Sequence, residues 1–255
     1  MSQTLRSSSR SNRTDRIGWR PWGAAAFDEA VDSDRPVLLN LTAGWCRFCR
    51  EMDETTYSAP PLIELINGEL IPIRVDADRH PHVEQRYIAG GWPTNAFLTP
   101  TGEVLWAGTF VSPEEFRSVA RNVLDAWRDR REELEKEVER RRKAMHAARS
   151  QRPAVGLVRR DAADDVLTAI RDAFDARNGG FGAEPKFPHP AAVELLYTLG
   201  ARRRDAARVE LADRTLDGML AGELWDAVEG GFFRYALRAD WTEPRSEKLL
   251  EVNAE

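Results

Sequence analysis

The chain of 255 residues has only two cysteines, which excludes a scaffold held together by several disulfides. It has no stretch approaching the ~18 apolar residues of a membrane-spanning helix, so a transmembrane segment is not expected. Lysine is scarce as well: four lysines stand against 33 arginines, a bias that speaks of the organism's base composition more than of mechanism. Nor is there an excess of either charge. With 37 basic and 42 acidic residues the formal net charge is −5, which gives no overall pull towards nucleic acid or anionic lipid. What is present is a 42% hydrophobic chain, long enough for one large domain or two ordinary ones.

Residues 1–16 are rich in Ser, Arg, Asn and Thr, with Leu5 the only sizeable apolar side chain. They lack the apolar core of a secretory signal and are expected to form a disordered basic tail, leaving the protein in the cytoplasm. From 17 to 127 the pattern alternates. Residues 27–34 read as a helix that Pro36 closes off, and the run Val37-Leu38-Leu39-Asn40-Leu41 reads as a buried strand. A helix opens at the cysteines and another fits 61–67, followed by a strand over 70–75 and a helix over 81–87. Two strands, 96–98 and 104–106, flank the turn Pro100-Thr101-Gly102. Ser112 with Glu115 three residues on forms a capping box for a helix over 113–127. This order predicts an α/β domain with a mixed sheet. Residues 128–152 are a charged connecting helix, too poor in apolar residues for a sustained coiled-coil seam. From 153 to 255 strand signals vanish, with helices at 161–175, 190–203, 206–221 and from Glu243 onward. Two loops there share a core, Gly179-Gly180-Phe181 and Gly230-Gly231-Phe232, which suggests stacked helical hairpins.

The chemistry concentrates in Trp45-Cys46-Arg47-Phe48-Cys49, directly after a buried strand and at the start of a helix. Unpaired N–H groups and the helix dipole favour a thiolate there, and Arg47 adds positive charge. A cysteine three residues on lies one turn away, close enough to resolve a mixed disulfide. Cys46 is thus the expected exposed nucleophile and Cys49 the resolving thiol. Half of a zinc site is the competing use of the pair, with His80 and His82 as the remaining ligands, but nothing in the sequence brings those histidines to the cysteines. A second element, Gly90-Gly91-Trp92-Pro93-Thr94-Asn95, precedes a strand, where thioredoxin-like proteins place a cis-proline loop opposite the cysteine pair. Trp45, Arg47, Trp92 and Pro93 are the candidate substrate groove; no metal and no cofactor are expected.

These motifs carry a narrower likeness. Cys46-x-x-Cys49-x-x-Met52, Val75-Asp76-x-Asp78-Arg79-x-Pro81, Gly90-Gly91-Trp92-Pro93-x-Asn95-x-Phe97-Leu98, Gly179-Gly180-Phe181-Gly182 and Gly230-Gly231-Phe232 together resemble the spermatogenesis-associated, thioredoxin-like family. The resemblance implies an α/β thioredoxin-like fold followed by an all-α helical-hairpin region, part of an (α/α)6 toroid of the glycosidase and N-acylglucosamine-epimerase type that here stops early. Two departures matter. Arg47 and Arg50 stand where that family usually has histidines. Asn40, six residues before Cys46, stands where thioredoxin reductants carry a buried Asp that assists proton transfer.

The sequence therefore points to a thiol–disulfide oxidoreductase acting on a protein or small-molecule thiol or disulfide, with a reductase as partner. Two other readings stay open: a non-catalytic thioredoxin-like interaction module, and a carbohydrate-binding or carbohydrate-active toroid using Trp225, Asp226, Trp241 and Glu243. An incomplete toroid would expose an apolar face and self-associate. Neither a membrane nor nucleic acid is an expected partner.

Overall fold

β1 (Val37–Thr42) is an unbroken run of buried residues, the pattern of a strand covered on both faces. In the computed structural model, which describes residues 12–150 and 162–254, it lies inside a four-stranded sheet. Its neighbours are β2 (Ile71–Asp76), parallel to it, and β3 (Thr94–Leu98), antiparallel; β4 (Val104–Gly108) forms the edge beside β3, so the order is β2-β1-β3-β4. The period of two sorts the side chains. Leu38 and Phe97 join Met52, Tyr57, Leu62, Ile66, Phe116 and Leu124 in one cluster. Val37, Leu39 and Leu41 join Ala26, Ala30, Val83 and Tyr87 in the other. The helices supplying them are α1 (Ala24–Ser33), α2 (Arg47–Glu54), α3 (Pro60–Glu69), α4 (Pro81–Tyr87) and α5 (Pro113–Asp129).

Local signals account for most of these boundaries. Proline opens α3, α4 and α5 at positions whose N–H would be unpaired in any case. The capping box is complete: Ser112 Oγ accepts from Glu115 N–H while Glu115 accepts from Ser112 N–H. α1 begins three residues earlier than its sequence pattern suggests and ends before Pro36, at Asp34 in the left-handed region. Of the expected tail, residues 1–11 lie outside the described residues, but the stretch from Asn12 to Arg16 is packed rather than disordered. Thr14 is buried and donates to the Asp53 carbonyl at 3.2 Å, and Arg13 N–H reaches Ser58 Oγ at 2.8 Å. Polar anchors that a hydrophobicity count cannot register hold this segment.

The charged connector forms α6 (Arg131–Ser150), a second helix after a break at Arg130. Its first residue is tied down: Arg131 pairs with Asp34 at 2.6 Å and its guanidinium sits 4.3 Å over the Trp127 ring.

The described residues from 162 to 254 belong to a second compact unit. Its described helices are α7 (Ala162–Asp172), α8 (Pro190–Arg203), α9 (Ala206–Ala221) and a short α10 (Leu250–Ala254). α8 and α9 match the sequence reading, with Asp205 accepting from Arg208 N–H to cap α9. The expected helix from Glu243 does not form there. Trp241 and Glu243 adopt positive φ, Pro244 disfavours a helical residue before it, and β6 (Pro244–Arg245) pairs with β5 (Tyr235–Ala236). This ladder is too short for a period-two pattern to reveal. No described helix is long and apolar enough to cross a membrane.

The two Gly-Gly-Phe loops are one device used twice. In each, the Asp five residues before the second glycine takes its N–H to that glycine's carbonyl, Asp175 to Gly180 at 2.8 Å and Asp226 to Gly231 at 2.9 Å. The glycines hold φ of 72° and 80° in the first loop and 75° and 87° in the second, where a β-carbon is disfavoured. A lysine closes each: Lys186 Nζ meets Asp175 at 2.6 Å and the Ala239 carbonyl at 2.8 Å, and Lys248 Nζ meets Asp226 at 2.5 Å and the Gly230 carbonyl at 2.9 Å.

Lys186 is fully buried, so its partner matters. Burial by itself would raise the Asp175 carboxyl, but Lys186, Asn178 and the backbone N–H groups of Asn178 and Arg177 outweigh it and hold the carboxyl well below the usual range. Its stabilising contribution is therefore present above the ordinary carboxylate value of about 4 and is lost as the pH falls through the lower folded value. Lys186→Met, which strands Asp175, is expected to cost roughly 3 kcal/mol. Hydrogen exchange at Gly179, Gly180 and Gly182, whose N–H groups are bonded within this loop region, then accelerates roughly 100-fold at pH 7; unchanged protection would refute this role for the pair.

Candidate functional site

β1 delivers the chain to the cysteines through Ala43, Gly44 and Trp45. Cys46 occupies the N-cap of α2 with extended backbone (φ −78°, ψ 114°), and its own N–H bonds to the Ala43 carbonyl at 3.1 Å. Its sulfur takes the place of a capping oxygen, accepting from Cys49 N–H at 3.1 Å. The sequence thus puts Cys46 Sγ among the free N–H groups at the positive end of a helix dipole. Cys49 lies one turn behind. Both are free thiols, with exposures of 4% for Cys46 and 1% for Cys49, so Cys46 is buried rather than exposed as the sequence suggested, because Trp45 and Trp92 pack against the pair.

The two sulfurs are not equivalent. The Cys49 thiol is pushed far above the ordinary thiol range, first by its hydrogen bond with Cys46, then by burial, then by the charge on Cys46. The Ala43 backbone and the Thr42 side chain pull it down only in part. Cys49 therefore keeps its proton at pH values where an ordinary thiol has lost it.

Trp45 and Trp92 flank the pair, their rings 5.2 Å apart at 73°, and both pack against the cluster of Ala43, Cys46 and Cys49. The Trp45 indole N–H reaches the Asp78 carboxylate at 3.1 Å. The Trp92–Pro93 bond is cis, and Pro93 is buried. Arg47 is exposed at the first position of α2. Phe48, which the sequence reading passed over, is 47% exposed beside the cysteines and meets Phe110 at 6.2 Å.

Beneath the pair is a buried polar row. Asn95, Asn40 and Arg74 occupy one register across β3, β1 and β2. Asn40 Nδ2 donates to Asn95 Oδ1 at 2.9 Å, and Arg74 Nε donates to Asn40 Oδ1 at 3.0 Å. Arg74 Nη2 donates to Asp53 on α2, Tyr57 OH donates to Asn95 Oδ1, and Asn95 Nδ2 donates to the Thr109 carbonyl at 2.7 Å. Sequence reasoning singled out Asn40 and quoted Asn95 as part of a motif, but not Arg74, Asp53 or Tyr57. An arginine inside the apolar strand Ile71-Pro72-Ile73-Arg74-Val75 was the available signal for the rest.

The other candidates lie elsewhere. His80 and His82 face each other, rings 5.9 Å apart, at the start of α4. Among the described residues no group of three or more His, Cys, Asp or Glu side chains could hold a metal ion. Of the side chains considered for sugar binding, Trp241 is fully buried with its indole N–H on the Asn178 carbonyl, Asp226 holds Lys248, and Glu243 pairs with Arg238 at 3.0 Å. Trp225 is partly exposed and packs on Phe232.

The family described as Thioredox_DsbH, a protein of unknown function (DUF255), matches residues 4–146. Spermatogenesis-associated protein 20 of Mus musculus is 30% identical over 94% of this chain and 33% of its own length. An uncharacterized protein of Caenorhabditis elegans is 28% identical over 92% of the chain and 34% of its own length. The chain thus spans about a third of these curated relatives. Among solved structures, a thioredoxin from Thermus thermophilus aligns with 44% of this chain and 91% of its own, at 22% identity and a TM-score of 0.39.

The environments of the two thiols predict an order of reactivity. In the wild-type chain, limited alkylation with iodoacetamide at pH 8 is expected to label Cys46 at least about tenfold faster than Cys49. The reverse order, read by mass shift, would reassign the nucleophile.

Proposed function

Because the chain belongs to the spermatogenesis-associated protein 20-like family through a DUF255 thioredoxin-like domain, we propose that it is a thiol–disulfide oxidoreductase. The observation that carries this reading is the Cys46 sulfur capping α2, with a buried second thiol one turn behind it. Deprotonated Cys46 attacks one sulfur of a substrate disulfide; that S–S bond breaks, and the first substrate thiolate leaves and takes up a proton. Cys49 then loses its proton and bonds to Cys46 Sγ, releasing the second substrate thiol. Two electrons pass from the cysteine pair to the substrate, and a reductase or a small thiol returns them.

Trp45, Arg47, Trp92 and Pro93 form the substrate groove on this reading, and the exposed Phe48 extends its apolar rim. The helical unit is the opening portion of an (α/α) toroid. Two features support that proposal: the antiparallel pair α8–α9 and the repetition of a complete loop device, Asp, Gly-Gly-Phe and Lys included. A sugar-binding role has less support, since Trp241, Asp226 and Glu243 are engaged within the unit.

The test is a titration of the full chain in glutathione buffers, read by thiol alkylation and mass shift. A single two-electron transition between roughly −270 and −200 mV is expected, the span from thioredoxin to glutaredoxins. Cys49→Ser is expected to arrest at a mixed disulfide. If the two thiols never join, the domain is a non-catalytic interaction module.

A further inference from the structure

We propose that Asp53 and Arg74 are positioning residues that keep the floor beneath Cys49 electrically neutral and so set how readily the resolving thiol gives up its proton. The inference rests on the disulfide-exchange reading above and deepens it.

Cys49 and Asp53 lie four residues apart on α2 and are both buried, so they share one face of the helix with Cβ atoms about 5–6 Å apart. Arg74 reaches Asp53 from β2, and both side chains are almost wholly shielded from water. Among the described residues, the titratable groups at this point are Cys46 at the N-cap of α2, Asp53 on α2, Tyr57 from the 3-10 turn after it, and Arg74 from β2; β1 and β3 contribute the uncharged Thr42, Asn40 and Asn95. Tyr57 lies close to the pair and to Cys49: burial raises its hydroxyl most, Arg74 draws it down, and Asp53 and Cys49 push it up. The ion pair and the resolving thiol thus border the same buried hydroxyl.

A lone guanidinium at this depth would favour the Cys49 thiolate, and a lone carboxylate would oppose it. Arg74 also keeps Nη1 without a hydrogen-bond partner among the described residues, so its charge is not fully engaged by hydrogen bonds. The carboxylate of Asp53 cancels that cation. Asn40, an amide, bridges Arg74 to Asn95 without adding charge.

The step affected is the second. Cys46 carries the mixed disulfide; Cys49 loses its proton to water, its sulfur bonds to Cys46 Sγ, and the bond from Cys46 to glutathione breaks. Glutathione leaves as a thiolate and takes a proton from water, so the only oxidant is the glutathione disulfide that formed the adduct. One unit in the pKa of Cys49 changes its thiolate fraction tenfold, but nucleophilicity falls with pKa (Brønsted slope about 0.4–0.5), which leaves roughly a threefold change in rate.

The experiment is rapid acid quench of the full-length chain reacting with oxidised glutathione, following decay of the mixed disulfide from pH 5 to 10. Asp53→Asn is expected to speed that decay at least about threefold at pH 7 and to move its pH profile down by about one unit. Arg74→Gln is expected to slow it by a similar factor and move the profile up. The double variant Asp53→Leu/Arg74→Met is expected to stay within about twofold of wild type, with an unmoved profile. Single variants that shift together, or not at all, overturn the inference. If neither single variant folds, the double variant decides: a profile within that range supports neutrality, and one displaced by a unit or more refutes it. A wild-type chain that never completes the second bond overturns the disulfide-exchange reading and this inference with it. Normal wild-type exchange with unmoved variants overturns this inference alone.

Discussion

A row of polar side chains crosses a fully buried strand of the sheet, and the rest of the first unit is arranged to satisfy it. Asn40 faces away from water on a strand whose neighbours are Leu39 and Leu41. An amide there is tolerable only if its donors and acceptors are met. Asn95 and Arg74 meet it from the same register on either side. Arg74 in turn needs an anion, and Asp53 on α2 supplies it. The register of three strands and the seating of the helix that opens with the cysteines are thereby linked through one hydrogen-bonded chain. Thr14 and Ser58 extend the link, since both donate to the Asp53 carbonyl.

The helical unit solves a related problem with lysine. Asp175 and Asp226 each organise a tight glycine loop by accepting backbone N–H groups at the second and third residues beyond them. A carboxylate so committed still carries a charge, and Lys186 and Lys248 neutralise it while pinning a distant carbonyl. With only four lysines in the chain, two in these matching positions mark a repeated construction. In both units a charged pair fixes geometry that apolar packing, being non-directional, would leave loose.

What could be read in the sequence was what is decided locally. The cysteine spacing, the Ser112 to Glu115 box, the proline-started helices and the α8–α9 pair each depend on neighbours within a turn or two. What escaped depends on contacts distant in sequence. Arg74 and Asp53 are 21 residues apart, and Lys186 finds the Ala239 carbonyl 53 residues away. The short β5–β6 ladder and the anchoring of Thr14 are of the same kind: each is stabilised by a few polar contacts rather than by a periodic apolar face. Gly-Gly-Phe was legible as a recurring string, whereas its lysine clasp was not, because Lys186 follows its loop closely and Lys248 follows only after the β-ladder.

The same separation of local and distant determinants runs through the two thiols. Cys46 owes its setting to the chain beside it: a strand end, a three-residue turn and the first N–H groups of α2. Cys49 owes its setting to the fold, for it is buried by Trp92 and Ala43 and stands one turn from an aspartate bound to another strand. A CxxC spacing by itself specifies only that two sulfurs can meet. It does not specify how differently they hold their protons. At Cys49 the hold on the proton comes first from its hydrogen bond with Cys46 and then from burial, so it is set by how the fold encloses the pair and not by the motif alone.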